Sequence, residues 1–210
     1  MSDLPVPDHN GPRDPATPLA RLAQEVRACR VCAAHLPLGP RPILRVDEGL
    51  RVLITGQAPG TRVHATGLPW NDPSGERLRD WLGVDRDRFY DLGRFGVMAM
   101  GFCYPGRGRG GDLPPRPECA PLWHARIRAQ LPRLRLTLLI GRHAQIHYLG
   151  TRAETLETTV RRWADFSAAG WFPLPHPSPR NTRWLSQRPW FEAEVIPALR
   201  AAVAAALRDQ

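Results

Sequence analysis

The run Leu50-Arg51-Val52-Leu53-Ile54-Thr55 opens directly into Gly56-Gln57-Ala58-Pro59-Gly60, and no other stretch limits the fold as much. A strand that is apolar on both faces belongs inside a parallel sheet sheathed by helices. Ligands of open α/β sheets bind beyond the carboxyl ends of such strands, so the glycine-framed loop is the first place for a site. Gly56 and Gly60 let the backbone turn sharply and bring N–H groups up to a ligand. Two glycines also occur in turns that bind nothing, so this loop needs support from the rest of the chain.

That support comes from alternation. Phe95 to Phe102, Leu134 to Ile140 and the short run Phe172-Pro173-Leu174-Pro175 read as further strands. Helical spacing marks Leu19 to Val31, the stretch around Leu78, Trp81 and Leu82, the segment opened by Cys119, the one after Gly141, Thr155 to Trp163, and Phe191 to Leu207. Strand and helix in turn predict an α/β fold: a single-domain α/β/α sandwich with a central four-stranded, mainly parallel sheet over residues 19–210. A chain of 210 residues buries one such core and needs no second domain. Residues 1–18, rich in Pro, Asp and Gly without periodicity, are expected to form a flexible arm, with Thr17 as N-cap and Pro18 as the first residue of a helix.

The formal charge is +9, and every basic side chain is Arg because the sequence contains no Lys. Guanidinium groups pair with phosphate through parallel hydrogen bonds, although a coding bias toward Arg, Ala and Pro produces the same composition. No apolar run reaches the roughly 20 residues that span a bilayer, and the first residues lack a signal-peptide pattern, so a cytoplasmic protein is expected. In that compartment four cysteines are metal ligands or buried thiols rather than disulfides. Cys29 and Cys32 are two residues apart, and Cys103 and Cys119 have fifteen between them. Four thiolates hold a 4Fe-4S cluster or a tetrahedral zinc, and spacing does not separate the two.

The series Cys-x2-Cys, glycine-rich loop, Cys-x15-Cys and a late His176-Pro177-Ser178-Pro179-Arg180-Asn181 loop resembles the uracil-DNA glycosylase superfamily, in particular its iron-sulfur branches. The resemblance covers about residues 19 to 200 and implies a 4Fe-4S cluster, structural rather than redox-catalytic, held by Cys29, Cys32, Cys103 and Cys119. It also implies hydrolytic release of uracil or another deaminated base from DNA; a monomer is expected, with no membrane partner. Such an enzyme must extrude its nucleotide, grip the base and stabilise charge as the glycosidic bond breaks.

Each need falls on a loop. The N–H groups of Gln57 and Ala58 are candidates for the base carbonyl, and Trp70 stands where the iron-sulfur relatives usually have Phe, as a stacking ring or else a core Trp. Asp72, in Asn71-Asp72-Pro73-Ser74-Gly75, is similar to the Asp of the Gly-Asp-Ala-Ser-Gly segment in the fifth family, which assists water attack; as a residue type it equally suits a helix N-cap. By resemblance His176 donates to the uracil O2, and Ser178, Pro179, Arg180 and Asn181 press toward the minor groove, with Arg180 in place of the usual apolar wedge. Ala99 replaces the base-reading Asn of the fourth family, where the fifth also has a small residue. Gln57 stands for a Glu of that fourth family, and His64 is a candidate general base or an exposed loop residue. Relatives that trap DNA covalently use a His in the loop after the third cysteine. Tyr104 to Glu118 has none, so no such trapping is expected, and the enzyme is expected to be monofunctional. Arg107, Arg109, Arg116 and Arg183 complete the candidate phosphate contacts.

Overall fold

The computed structural model describes residues 16–208. The expected arm therefore lies outside the described residues except at its end, where Thr17 accepts from the Ala20 N–H and Pro18 starts α1 (Pro18–Arg27). That helix buries Leu19, Leu22, Ala23 and Val26 along one face, as the spacing requires.

Strand β1 (Val52–Thr55) is wholly buried, and the short helix α2 (Thr61–Thr66) follows the glycine loop. Next come α3 (Pro73–Leu82), begun by the Asp72 cap and ended by Gly83 at φ 67°, and α4 (Arg86–Tyr90), capped by Asp85. After β2 (Phe95–Val97), the small strands β3 (Arg107–Gly108) and β4 (Gly111–Asp112) form an antiparallel pair. Helix α5 (Cys119–Arg128) leads to β5 (Leu136–Ile140), then α6 (Arg142–Leu149), α7 (Leu156–Arg161) and α8 (Trp163–Ser167). The last strand, β6 (Trp171–Leu174), is followed by α9 (Thr182–Ser186) and α10 (Ile196–Leu207), the latter entered through a π-turn at Phe191–Val195.

The main sheet has the order β2-β1-β5-β6 and every pairing in it is parallel. Pro173 is accommodated because β6 is an edge strand. Alternation along the strands divides the core. Val52, Ile54, Leu136, Leu138 and Ile140 pack under α3 and α10, while Leu53 packs with α1 and α5 and Leu139 meets Ala144 of α6. Helices thus cover both faces, the α/β/α sandwich expected from the sequence.

Three details differ from the reading of the sequence. The second strand ends at Val97, and Met98 to Cys103 runs on as irregular chain that still bonds to the end of β1. Helices α2 and α4 interrupt stretches that read as loop, being too short for a periodic pattern to show. The Arg- and Gly-rich segment after Cys103 contains the β3–β4 hairpin, whose turn is made by Arg109 and Gly110.

Candidate active site

The carboxyl ends of β1, β2 and β6 open into one cleft of about 580 Å³. Its walls include Gln57 and Ala58 from the first loop, Trp70 and Asp72 from the approach to α3, Ala99 from beyond β2, Asp112 from the hairpin, and His176 from beyond β6.

The first loop turns its carbonyls away from the cleft. Gly56 O accepts from the Met100 N–H at 2.8 Å and Gln57 O from the Gly101 N–H at 3.0 Å. The N–H groups of Gln57 and Ala58 have no partner among the described residues, so they stand as donors at the cleft wall. The Gln57 side chain is used differently: its amide donates to Leu113 O at 2.8 Å and ties the hairpin to the loop.

Trp70 has φ 60°, a left-handed conformation that is costly for a bulky residue and persists only where its surroundings enforce it. Here they do. The Tyr90 hydroxyl donates to Pro69 O at 2.9 Å, and Arg79 donates to Trp70 O at 3.2 Å. Gly75 is required at its position, since a Cβ there would stand 1.7 Å from Trp70 O. The indole lies beside Gly56, where a Cβ would come within 3.3 Å of Cζ2, and its centroid is 5.6 Å from that of His176. The ring both packs against the main core and borders the cleft, so the two readings of Trp70 are combined.

Asp72 caps α3, its Oδ1 accepting from the Gly75 N–H at 2.9 Å. The cap holds the carboxyl at the cleft rather than withdrawing it, because Asp72 acts electrostatically on His176. His176 is set by its own loop. The Ser178 N–H donates to Nδ1 at 3.1 Å, Asn181 Nδ2 donates to the His176 carbonyl at 2.8 Å, and Arg77 reaches across from α3 to Ser178 O at 3.0 Å. A ring nitrogen that accepts carries no proton, so the proton resides on Nε2. Burial lowers the His176 pKa, opposed by the carboxylates of Asp72 and Asp112. The neutral ring therefore offers one donor, Nε2–H, which has no partner among the described residues.

Around the mouth, Arg107, Ser178, Arg180 and Asn181 border the cleft with Arg62. Arg109 is exposed at the hairpin turn and Pro179 is exposed in the late loop, both outside the cleft lining. His64 is also outside it: the residue lies on α2 with its ring 6.2 Å from Tyr104, and the general-base role considered for it has no geometric support. Arg116 pairs with Glu118 at 2.5 Å, beside the cysteines rather than at the cleft. Sequence reasoning missed Asp112 and Arg77. The Gly110-Gly111 pair ahead of Asp112 was a turn signal, whereas nothing local marks Arg77 as the support of a loop about a hundred residues later.

The four cysteines border a second pocket, with Val31, Leu36, Phe102, Leu122 and Trp123. Cys103 feels Cys29 and Cys32, and Cys119 feels all three others. Burial pushes the Cys103 thiol up to about 11 and that of Cys119 up to about 12. Cys119 Sγ accepts from the Phe102 N–H at 3.4 Å. Among the described residues no group of three or more His, Cys, Asp and Glu is arranged to hold a single metal ion.

Between the two pockets runs Met98 to Cys103. His124, 2% exposed, bridges Ala99 O at 3.1 Å and the Tyr148 hydroxyl at 2.6 Å, and its ring stacks on Phe102 at 5.6 Å. The carbonyl only accepts, so Nε2 carries the proton and Tyr148 donates to Nδ1. Burial lowers the His124 pKa to about 4, in keeping with a neutral ring.

A protein-family model, the uracil DNA glycosylase superfamily, matches residues 45–200. The chain belongs to the uracil DNA glycosylase superfamily. The matched span holds the cleft loops, Asp72, His176, Cys103 and Cys119, and begins after Cys29 and Cys32. Membership points to DNA glycosylase-type chemistry, and the parallel sheet flanked by helices agrees with the superfamily's fold. No helix among the described residues is long and apolar enough to cross a membrane.

Proposed function

We propose that the protein is a monofunctional DNA glycosylase that releases uracil or another deaminated base from DNA by hydrolysis. The observation that carries this reading is the convergence of Trp70, Asp72, His176 and the unpartnered N–H groups of Gln57 and Ala58 on one cleft.

An extruded base enters against the Trp70 indole, and the Gln57 and Ala58 N–H groups donate to a base carbonyl. As the glycosidic bond breaks, its electron pair passes to the base. The His176 Nε2–H is a neutral donor positioned to stabilise that developing oxyanion. The Asp72 oxygen not used in the cap orients water toward the anomeric carbon, and the water's proton is the one the departing base ultimately gains. Ala99 brings no amide to the wall, which suits a site that accepts more than one deaminated base. The positive rim, including Arg62, Arg107 and Arg180, meets phosphates.

Cys29, Cys32, Cys103 and Cys119 are proposed to hold a 4Fe-4S cluster. Two observations support the fit. All four border one pocket, the four-thiolate set that such a cluster takes. The Cys119 sulfur also accepts a backbone N–H, a contact that stabilises cluster thiolates. The cluster supplies a covalent clip between the start of the chain and the walls of the cleft, and no catalytic step passes through it.

The test is an excision assay on uracil, hypoxanthine and xanthine in single- and double-stranded DNA, with iron, sulfide and zinc analysis of the same sample. Release of at least one base, lost in Asp72→Asn and His176→Ala while DNA affinity persists, is the expected result. Cluster-replete protein that releases none of them refutes the reading and leaves a DNA-binding member of the superfamily.

A further inference from the structure

We propose that Asp112 is a base-reading residue, a carboxylate that accepts the ring N–H of a deaminated base and turns away the unprotonated ring nitrogen of cytosine or adenine. The inference rests on the glycosylase reading of the cleft and names how that cleft selects its base.

Two contacts locate the carboxylate. Asp112 borders the cleft, and its Oδ2 is 3.4 Å from the position a Cβ on Gly60 would take, at the end of the loop whose N–H groups line the wall. It shares that cleft with His176, on which it and Asp72 both act electrostatically. It thus stands between the first loop and the late loop, where a base held by both presents its edge. The placement is enforced. Asp112 pairs with Arg107 across the hairpin, Gln57 ties the next residue through Leu113 O at 2.8 Å, and Arg180 Nη1 packs within 3.4 Å of a Cβ position on Gly111.

The side chain has no hydrogen-bond or ion-pair partner among the described residues, although arginines surround the mouth of the cleft. An acceptor-only group in a DNA site is repelled by phosphate and finds no donor on deoxyribose within a strand. The donors a DNA nucleotide offers are the N–H groups of its base. Uracil carries N–H at N3, and hypoxanthine and xanthine carry it at N1. Cytosine N3 and adenine N1 present lone pairs instead. A carboxylate that meets the base at this ring nitrogen, rather than at the exocyclic amino group of cytosine or adenine, therefore favours the first group and repels the second, which a neutral wall such as Ala99 cannot do. An acceptor that a bound base would cover discriminates against a base that leaves it unpaired.

The experiment measures binding without turnover. Oligonucleotides carry one 2′-fluoro-2′-deoxyuridine, its N3-methyl derivative, or 2′-fluoro-2′-deoxycytidine, each titrated with wild-type protein, Asp112→Ala and Asp112→Asn. Wild type is expected to prefer the uridine probe over the other two by about 10- to 100-fold, the usual worth of a hydrogen bond to a charged group. Asp112→Ala should lose that preference while its affinity for undamaged DNA stays equal or rises slightly. Asp112→Asn, which can donate as well as accept, should admit the cytidine probe. Equal binding of the uridine and N3-methyl probes by wild type, or an unchanged preference in Asp112→Ala, overturns the inference. Protein that excises no base yet shows the preference refutes the glycosylase reading alone, and protein that excises uracil without the preference refutes this inference alone. Asp112 is exposed at a hairpin end, so unfolding of the variants is not expected, and a thermal melt run beside each titration verifies it.

Discussion

The two pockets of this protein share a wall, the segment from Met98 to Cys103, and treat their polar groups in opposite ways. The cleft leaves donors and a carboxylate without partners, open to solvent and lined by at least five separate segments. The cysteine pocket is largely apolar, and burial, with the neighbouring cysteines, holds two of its thiols far above their ordinary range. Unpartnered groups that stay wet cost little until a ligand arrives, so they suit a transient occupant. Buried thiols that resist ionisation suit a permanent metal cluster, whose binding supplies the free energy to deprotonate them.

The comparison is broken most easily at the cleft. Asp72→Asn is expected to lower the rate of base release by about 10²- to 10⁴-fold, and His176→Ala by about 10²- to 10³-fold, in single-turnover assays. Melting temperature and affinity for undamaged DNA should change little in His176→Ala. Asp72→Asn should keep most of the helix cap, since Asn caps nearly as well.

At the cysteine pocket the effect should fall on stability first. Cys119→Ala removes a proposed ligand and the acceptor of the Phe102 N–H, so iron content should drop and melting temperature fall by on the order of 10 °C. Retention of full iron content in that variant contradicts the ligand assignment.

The shared wall offers a sharper probe. His124→Leu leaves Ala99 O buried without its donor, an expected loss of about 1–3 kcal/mol, whereas Gln can donate to the carbonyl and accept from Tyr148 and should recover part of it. Because folding depresses the His124 pKa, its neutral form is fully stabilising above about pH 6.5, and that contribution is lost as pH falls toward about 4. Acid unfolding of wild type should steepen across that window and be shallower in His124→Gln. Urea midpoints measured at a series of pH values distinguish the two.

The smallest effects belong to the rim. Replacing Arg107 or Arg180 by Ala should weaken DNA binding a few-fold for all sequences alike and reduce the salt slope by about one.

Much of this was legible in the chain. Val52 to Thr55 reads as a doubly buried strand because apolar residues on both faces have no other stable home, and the same logic located β5. Thr17, Pro18 and Asp72 announce helix starts through chemistry confined to four residues. The cleft loops were visible as Gly- and Pro-rich breaks after each strand. The hairpin at Asp112 was not, since two-residue strands carry no periodicity, and the apparently basic loop concealed its acidic member.

What the sequence determined by itself, then, was the order of the four main-sheet strands and the longer helices, several capping residues and most of the chemically able side chains, all of which follow from spacing within a dozen residues. Only the tertiary structure decided that Asp72, Asp112 and His176 line one cleft, that Gly75 and Arg79 hold Trp70 in a left-handed turn, and that His124 joins the cysteine pocket to the cleft wall. Those pairings span from a few to more than a hundred residues of chain. They are set by how the closed sheet layers bring loop ends together, a constraint that no local pattern records.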